Sequence, residues 1–149
     1  MSMSQKRLIG WREWVAFPDL GAPPIKAKID TGARTSALHA FRIRRFEKAG
    51  VELVEFFVHP VQRRRDPEIR CEAPLVDERE VTSSNGRRER RYVIQTRAVI
   101  AGEMRKIELT LTNRDEMGFR LLIGRRALKS RFIIDPGRSY CGGVPTSTD

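Results

Sequence analysis

The sequence predicts an all-β domain, either a barrel or a sandwich, and three observations support this expectation. Short apolar segments recur along the chain at close spacing, and several alternate with polar residues as half-buried strands do. Turn-forming residues such as Asn85-Gly86 separate these segments. The chain has 149 residues, of which 40% are hydrophobic and 32% are charged, and this is enough for one globular domain with its own core.

The first half of the chain is expected to contain four strands. They are predicted at residues 12–17, 24–29, 36–46 and 51–58. In the second of them, Ile25, Ala27 and Ile29 alternate with two lysines, so the apolar face is expected in the core. Residues 60–74, a polar and arginine-rich stretch, are interpreted as a loop.

The second half adds a hairpin, further short strands and one short helix. Residues 75–82 and 91–100 are expected to pair around Asn85-Gly86, because both turn residues tolerate the positive φ of a type I′ turn. Strands are also predicted at 107–111, 121–123 and 132–134, with a polar connection at 113–118 and about one and a half helical turns at 125–130. Residues 1–149 are expected to form a single domain, ordered over about residues 10–140 with frayed ends.

Asp30-Thr31-Gly32 follows the second predicted strand and is the candidate catalytic motif. Hydrolysis of a peptide bond without a metal or a covalent intermediate needs an activated water. Two close carboxylates that share one proton can provide it, one as the base toward water and the other as the acid toward the carbonyl oxygen. The chain has one such motif and is too short for two lobes, so a working site requires a homodimer in which each subunit donates Asp30. Gly32 permits a tight turn, and the Thr31 hydroxyl is expected to hold the loop.

Four motifs make the chain resemble the retropepsin-like aspartic proteases, and among these a group of small bacterial proteins named ATP-dependent zinc proteases. The motifs lie at residues 28–40, 110–114, 124–128 and 135–137, and the resemblance covers about residues 10–140. It implies a closed barrel of the acid protease type with one short helix, a flap around Asn85-Gly86, and packing of residues 121–125 beside the Asp30 loop. Members of this group are associated with RimK-type ATP-grasp ligases, which add glutamates to a ribosomal protein. By that association the resemblance implies a peptidase that acts on glutamate-rich tails.

The same resemblance points to basic residues around the motif as the substrate-binding set. Viral retropepsins carry an acidic residue directly after the Asp-Thr-Gly-Ala stretch, where this chain has Arg34, while the arginine of the later Gly-Arg pair is kept as Arg125. The guanidinium groups of Arg34 and Arg125 thus lack the acidic partner found in viral enzymes, and they are suited to bind carboxylates of a substrate instead. The expected substrate-binding residues are Ala33, Arg34, Arg87, Arg88 and Arg125.

Each of these arginines also has a purely structural interpretation. Arg34 or Arg125 can stabilise the fold by pairing with a carboxylate, and the candidates are Asp115, Glu116 and Asp135. The arginines within residues 87–91 can form a solvated, charged hairpin edge that discourages pairing with other chains.

The zinc and ATP parts of the group's name find little support in the residues. The sequence has no His-Glu-x-x-His, Cys-x-x-Cys or glycine-rich phosphate-binding motif, and its histidines and cysteines are scattered at His39, His59, Cys71 and Cys141. We therefore expect no metal ligands, no cofactor and reduced thiols, and His39 is interpreted as a satisfied polar group beside the Asp30 loop. A zinc-dependent hydrolase stays open as an alternative function.

The net charge of +10 favours anionic partners. Besides an acidic peptide, these include RNA or a ribosomal surface, bound without catalysis through the basic runs at residues 63–65 and 87–91. Few aromatic residues interleave those runs, so base stacking is poorly supported. No apolar run approaches the roughly 20 residues of a membrane helix, and the N-terminal residues carry no signal-peptide core. A cytoplasmic protein is expected.

Overall fold

The computed structural model describes residues 5–82, 85–113 and 118–145, and these form ten strands and one short helix. In chain order the elements are β1 (Arg7–Phe17), β2 (Ala22–Asp30), β3 (Ser36–His39), β4 (Phe41–Lys48), β5 (Val51–Val58), β6 (Ile69–Thr82), β7 (Arg88–Ile100), β8 (Glu103–Thr112), β9 (Leu121–Gly124), α1 (Arg125–Leu128) and β10 (Phe132–Ser139). The predicted frayed ends and the polar connection at 113–118 fall partly on residues 1–4, 114–117 and 146–149, which lie outside the described residues. No helix within the described ranges is long and apolar enough to cross a membrane.

Six strands close into a barrel. Hydrogen-bonded neighbours follow the order β1, β2, β9, β3, β8 and β7, and β7 returns to β1 where Val15 pairs with Ile100 and Ala16 with Val99. The other strands extend the barrel on two sides, with β10 parallel to β1 and with β6, β5 and β4 following from β7. The closed all-β barrel with one short helix that the resemblance implies is therefore confirmed.

Alternating side chains of the strands fill the core, as the periodicity of β2 predicts. Ile25, Ala27 and Ile29 are all buried. Since successive side chains of a strand point to opposite faces, the other face of β2 carries Lys28 and Asp30, which are partly exposed. One face of β2 thus belongs to the core, and the other presents the candidate catalytic residue.

The interpretation of residues 60–74 as a loop is wrong in its second half. Strand β6 begins at Ile69, and Cys71 and Ala73 are buried where β6 pairs with β5. Charged residues alternate with these small buried side chains, and an arginine-rich stretch precedes them. The strand signal is therefore weak when only hydrophobicity is considered.

Several other predicted strands have different limits in the structure, and three of them show the physical reason. Strand β1 starts at Arg7 rather than at residue 12, because its first residues pair with β10. The segment 36–46 divides at the buried Ala40, because β3 pairs inside the barrel while β4 pairs with β5 outside it. Strand β10 continues past Pro136-Gly137, which its position at the edge of the sheet allows because one side of an edge strand makes no ladder hydrogen bonds.

The predicted hairpin is present and joins β6 to β7. The last residue pair is Thr82 and Arg88, so the connection covers residues 83–87 and is longer than a two-residue turn; residues 83 and 84 lie outside the described ranges. Gly86 has a φ of 83°, and the Arg87 N–H donates to Asn85 Oδ1 at 3.2 Å. Asn85-Gly86 therefore lies in the turn, as the sequence predicts.

A buried carboxylate ties the C-terminal segment to β1. The Glu13 side chain accepts hydrogen bonds from the backbone N–H groups of Gly10 at 2.7 Å, Cys141 at 2.8 Å and Gly142 at 3.0 Å. Several donors of this kind compensate a buried carboxylate for the loss of water. The Tyr140 N–H also donates to Arg12 O at 2.8 Å, so the segment after β10 is fixed beside β1.

Candidate active site

The Asp30 loop connects β2 to β3 and wraps around the end of β9. Strand β9 runs parallel to β2, where Asp30 pairs with Gly124, and antiparallel to β3, where Ala37 pairs with Leu122. The loop therefore begins and ends on either side of β9. This arrangement agrees with the expectation that residues 121–125 pack beside the Asp30 loop.

Backbone hydrogen bonds fix the loop from both directions. The Ala33 N–H donates to Asp30 O at 3.1 Å and closes the turn after β2. From the start of α1, the Arg125 N–H donates to Ala33 O at 2.9 Å and the Arg126 N–H donates to Arg34 O at 3.2 Å. The loop is thus held by the segment that follows β9, more than 90 residues later in the chain.

Gly124 is the position where the loop and β9 come closest. A Cβ on Gly124 would lie 2.7 Å from Thr35 C and 2.9 Å from Ala33 O, distances that side-chain carbons do not adopt. The Gly124 N–H donates to the buried Ser36 Oγ at 3.0 Å. The glycine of the Leu-Leu-Ile-Gly-Arg motif is therefore required by backbone contact rather than by its φ.

Asp30 presents a partly exposed carboxylate at the end of β2. Its Oδ1 accepts a hydrogen bond from the Gly32 N–H at 3.2 Å. Within the described part of the chain, no other side chain or backbone group donates to this carboxylate. The Thr31 hydroxyl makes no hydrogen bond to those residues either, so its expected role in holding the loop stays a prediction.

Arg125 reaches back to the Asp30 loop with its side chain. Its Nη1 donates to Thr31 O at 3.2 Å and to Gly32 O at 3.3 Å. The alternative partner Asp135 forms its ion pair with Arg138 at 3.4 Å instead. The other two candidate partners, Asp115 and Glu116, lie outside the described residues.

An open groove of about 790 Å³ lies between the Asp30 loop, α1 and the start of β10. Its lining residues are Thr31, Arg34, Arg125, Arg126, Leu128, Lys129, Phe132 and Ile134. In the described ranges, no carboxylate lies within ion-pair distance of the four basic residues of this groove. The groove is therefore electropositive and partly apolar.

The arginines of the β6–β7 hairpin have a different environment. Arg88 pairs with Glu80 at 3.6 Å, and Arg90 pairs with Glu78 at 2.6 Å. Arg87 also has an interaction partner. The structure thus brings Arg34 and Arg125 to the Asp30 loop, whereas it places Arg88 in an ion pair within the hairpin. A substrate contact of Arg87 or Arg88 stays a prediction.

His39 is a buried residue at the end of β3. Its Nδ1 lies 3.3 Å from Arg120 Nη1, and the buried Arg120 also donates to Arg64 O at 3.2 Å. His39 therefore has a polar partner, as the sequence interpretation expects, but His39 lies at the end of β3 remote from the Asp30 loop.

Possible metal ligands do not come together in the described residues, where no group of three His, Cys, Asp or Glu side chains has the proximity to hold an ion. Cys71 is buried, and burial raises the pKa of its thiol to about 11. His39 is engaged by Arg120. These residues do not fit the zinc site that the group's name implies.

Comparison with known proteins places this site in a family context. A family model described as RimB-like, "Retropepsin-like aspartic endopeptidase RimB", matches residues 8–144. The crystal structure of Lpg0085 from Legionella pneumophila subsp. pneumophila, a protein of unknown function (DUF785), has a TM-score of 0.76 and 26% sequence identity. That match covers 91% of this chain and 98% of the Legionella chain.

Curated proteins similar to the chain carry a different name. "Probable alpha-L-glutamate ligase" of Shewanella pealeana is 49% identical over 138 residues, and that of Desulfotalea psychrophila is 48% identical over 131 residues. The matches cover 93% and 88% of this chain but 30% and 28% of the two relatives. The chain thus spans less than a third of the length of the curated relatives that it matches.

Proposed function

The chain belongs to the RimB-like family of retropepsin-like aspartic endopeptidases, and from this premise we propose that it is a homodimeric aspartic peptidase that hydrolyses acidic, glutamate-rich peptide tails. The observation that carries the proposal is the Asp30 loop. Its carboxylate is presented at a strand end by a backbone network, beside a groove lined by four basic residues.

The proposed chemistry uses one Asp30 from each of two subunits. Two carboxylates at close distance share a proton, because ionising both would place like charges side by side. The ionised carboxylate takes a proton from water, and the water oxygen attacks the carbonyl carbon of the scissile peptide bond. The protonated carboxyl gives its proton to the carbonyl oxygen. Collapse of the resulting tetrahedral intermediate transfers a proton to the leaving nitrogen and breaks the C–N bond.

The surface beside the Asp30 loop is suited to a second copy of the chain. Strand β10 is one of the two edge strands of the sheet, and Ile133 on it is 53% exposed. Leu8, on the neighbouring strand β1, is 43% exposed. A two-fold arrangement that covers this edge would bury both side chains.

The substrate class is inferred from charge and from the relatives. The basic groove residues have no acidic partners in the described residues, so they are suited to bind carboxylates. Relatives that contain a region similar to this chain are named probable alpha-L-glutamate ligases. That name describes the attachment of glutamate, and we propose that this peptidase removes glutamates, with a tail on a ribosomal protein as the substrate that the family resemblance implies.

Substitution of Asp30 tests the proposal. Asp30→Asn is expected to abolish hydrolysis of a peptide that carries a glutamate tail, measured by mass spectrometry of the products, and to leave the circular dichroism spectrum and Tm unchanged. Asp66→Asn, an exposed aspartate outside the loop, is the matched control and should keep full activity. Hydrolysis by purified Asp30→Asn protein at the wild-type rate would refute the mechanism.

A mixing experiment tests whether the site is shared between subunits. When wild-type protein is incubated with an excess of Asp30→Asn protein, heterodimers with a single Asp30 form. Activity should then fall in proportion to subunit exchange, followed in parallel by native mass spectrometry. Full activity in a sample that consists mainly of heterodimers would contradict a shared site.

A further inference from the structure

A cluster of aromatic and basic side chains lies on β1, β2 and the segment after β10. We call it the Trp-Tyr cluster, and its members are Trp11, Arg12, Trp14, Lys26 and Tyr140. The Arg12 guanidinium carbon is 4.6 Å from the centre of the Trp11 ring and 5.1 Å from that of Tyr140. Lys26 Nζ is 5.2 Å from the Trp14 ring and 5.9 Å from the Tyr140 ring. Each cation therefore lies against two aromatic rings.

The framework of the barrel fixes this cluster. Trp14 pairs directly with Lys26 in the antiparallel ladder of β1 and β2. Tyr140 is held by the hydrogen bond from its N–H to Arg12 O, and the residues after it are held by the buried Glu13. Arg12 Nε also donates to Ser139 Oγ at 3.0 Å. The side chains are preorganised, so little conformational entropy remains to be lost when a ligand binds.

The two cations of the cluster have no acidic partner in the described part of the chain. Many arginines elsewhere on the protein do, as the pairs of Arg70 with Glu55 and of Arg97 with Asp19 illustrate. Arg12 and Lys26 are half-buried. Aromatic rings cover one side of each charged group, where water would otherwise lie. A cation in such a setting attracts anions more strongly than a fully solvated one does.

The Trp-Tyr cluster faces the same side of the sheet as the candidate catalytic residue. Lys26, Lys28 and Asp30 occupy every second position of β2 and so share one face of the strand. The residues between them belong to the opposite face, which is in the core. At about 3.3 Å per strand residue, Lys26 lies roughly 13 Å along the strand from Asp30. An extended peptide covers that distance with about four residues.

We propose that the Trp-Tyr cluster is a second binding site for the acidic substrate, which engages glutamate carboxylates about four residues away from the bond that is cleaved. This inference rests on the proposed peptidase function and adds to it a requirement for substrate length. Arg12 and Lys26 bind the carboxylates, and the rings of Trp14 and Tyr140 pack against the methylene groups of the glutamate side chains. The occupant is an acidic polypeptide because the cluster combines two uncompensated cations with a strand that leads directly to Asp30.

A length series of substrates tests this inference. The double variant Arg12→Gln/Lys26→Gln is expected to lose kcat/KM roughly tenfold on a peptide with ten glutamates. On a peptide with three glutamates it should stay within about twofold of wild type, since that peptide does not reach the cluster. The control Lys48→Gln/Arg65→Gln removes the same charge from exposed positions and should match wild type on both peptides. An equal loss on the short and long peptides, or an equal loss in the control, would overturn the proposal.

A binding measurement separates this proposal from the catalytic one. Trp11 and Trp14 are the two tryptophans of the chain, so intrinsic fluorescence reports directly on the Trp-Tyr cluster. Addition of decaglutamate to catalytically inactive Asp30→Asn protein should change the emission and give a Kd that is about tenfold weaker in the double variant. Lys26→Arg, which keeps the charge, should retain the wild-type Kd.

The possible results have distinct meanings. Emission that does not respond to decaglutamate would overturn the second site even if hydrolysis is observed. A saturable response in a protein that hydrolyses nothing would support the second site while the peptidase function fails. Tighter binding of a single-stranded oligonucleotide than of decaglutamate at equal ionic strength would overturn the acidic-peptide assignment in favour of nucleic acid.

Discussion

The β6–β7 hairpin and the region around the Asp30 loop are both rich in arginine, yet the two regions differ in whether these arginines form ion pairs. On the hairpin, Arg88 and Arg90 pair with glutamates of the facing strand. In the groove beside the Asp30 loop, Arg34, Arg126 and their basic neighbours have no carboxylate in ion-pair distance among the described residues. The hairpin therefore neutralises its charge locally, whereas the groove does not.

This difference shows where the net charge of +10 has its effect. Exposed ion pairs contribute little to stability, but they cancel most of the field that each partner would produce alone. Cations without partners add their fields together, and those of the groove lie beside the loop that carries Asp30. The groove therefore keeps an uncompensated positive charge next to the candidate active site.

The two regions also differ in how tightly they pack, and a pair of glycine substitutions should show the largest effect. Gly124→Ala is expected to destabilise the protein by about 3 kcal/mol, because the added Cβ would overlap the backbone of Ala33 and Thr35. Gly86→Ala on the hairpin should lower the free energy of unfolding by only about 1 kcal/mol. A Cβ at position 86 would meet no atom within 4 Å, so only the positive φ of this residue disfavours alanine. Urea unfolding monitored by circular dichroism measures both, and equal losses would contradict the packing argument.

Charge reversal in each region tests the electrostatic side of the comparison. Arg34→Glu is expected to lower kcat/KM on a glutamate-rich peptide by about tenfold, because a repulsion replaces an attraction, and to change a neutral peptide by less than about twofold. Arg88→Glu on the hairpin is the matched control and should affect both peptides only slightly. If Arg34→Glu lowers activity on both peptides equally, Arg34 has a structural role; if Arg88→Glu reproduces the selective loss, the hairpin also contacts the substrate.

A pH experiment on the hairpin should show the smallest effect. The Glu78 N–H at 2.7 Å and the Arg79 guanidinium at 2.6 Å hold the pKa of Asp77 below its usual value. A carboxylate with a lowered pKa stabilises the fold at neutral pH, and this contribution is lost as the pH falls through the folded-state pKa. Asp77→Asn should therefore lower Tm slightly at pH 7, and the difference from wild type should shrink as the pH falls through the lowered pKa of Asp77. A difference that is independent of pH would refute this assignment.

The sequence was sufficient to predict features that depend on local pattern. The alternation of Ile25, Ala27 and Ile29 identified β2, and the Asp-Thr-Gly motif at its end identified the candidate site. The start of β6 was missed because its buried side chains include the small Cys71 and Ala73, between charged neighbours. Strand periodicity is strong only where large apolar side chains carry it.

Features that depend on three-dimensional neighbours could not be predicted from the sequence. Closure of the barrel between β1 and β7 joins segments about 85 residues apart, and no local pattern marks that pairing. The Trp-Tyr cluster takes Trp14, Lys26 and Tyr140 from three separate segments. The ion pairs of the hairpin depend on strand register, which decides which arginine faces which glutamate.

The long sequence separation between Arg125 and the loop that it holds has a consequence for the order of events during synthesis. Asp30 leaves the ribosome early, but the hydrogen bond from Arg125 to Thr31 joins residues 94 positions apart. At about 5–20 residues per second, translation reaches Arg125 on the order of ten seconds after Asp30. During that interval the chain contains its candidate catalytic residue without the backbone network that positions it. A nascent or truncated polypeptide is consequently expected to lack the proposed peptidase activity, which requires nearly the whole domain.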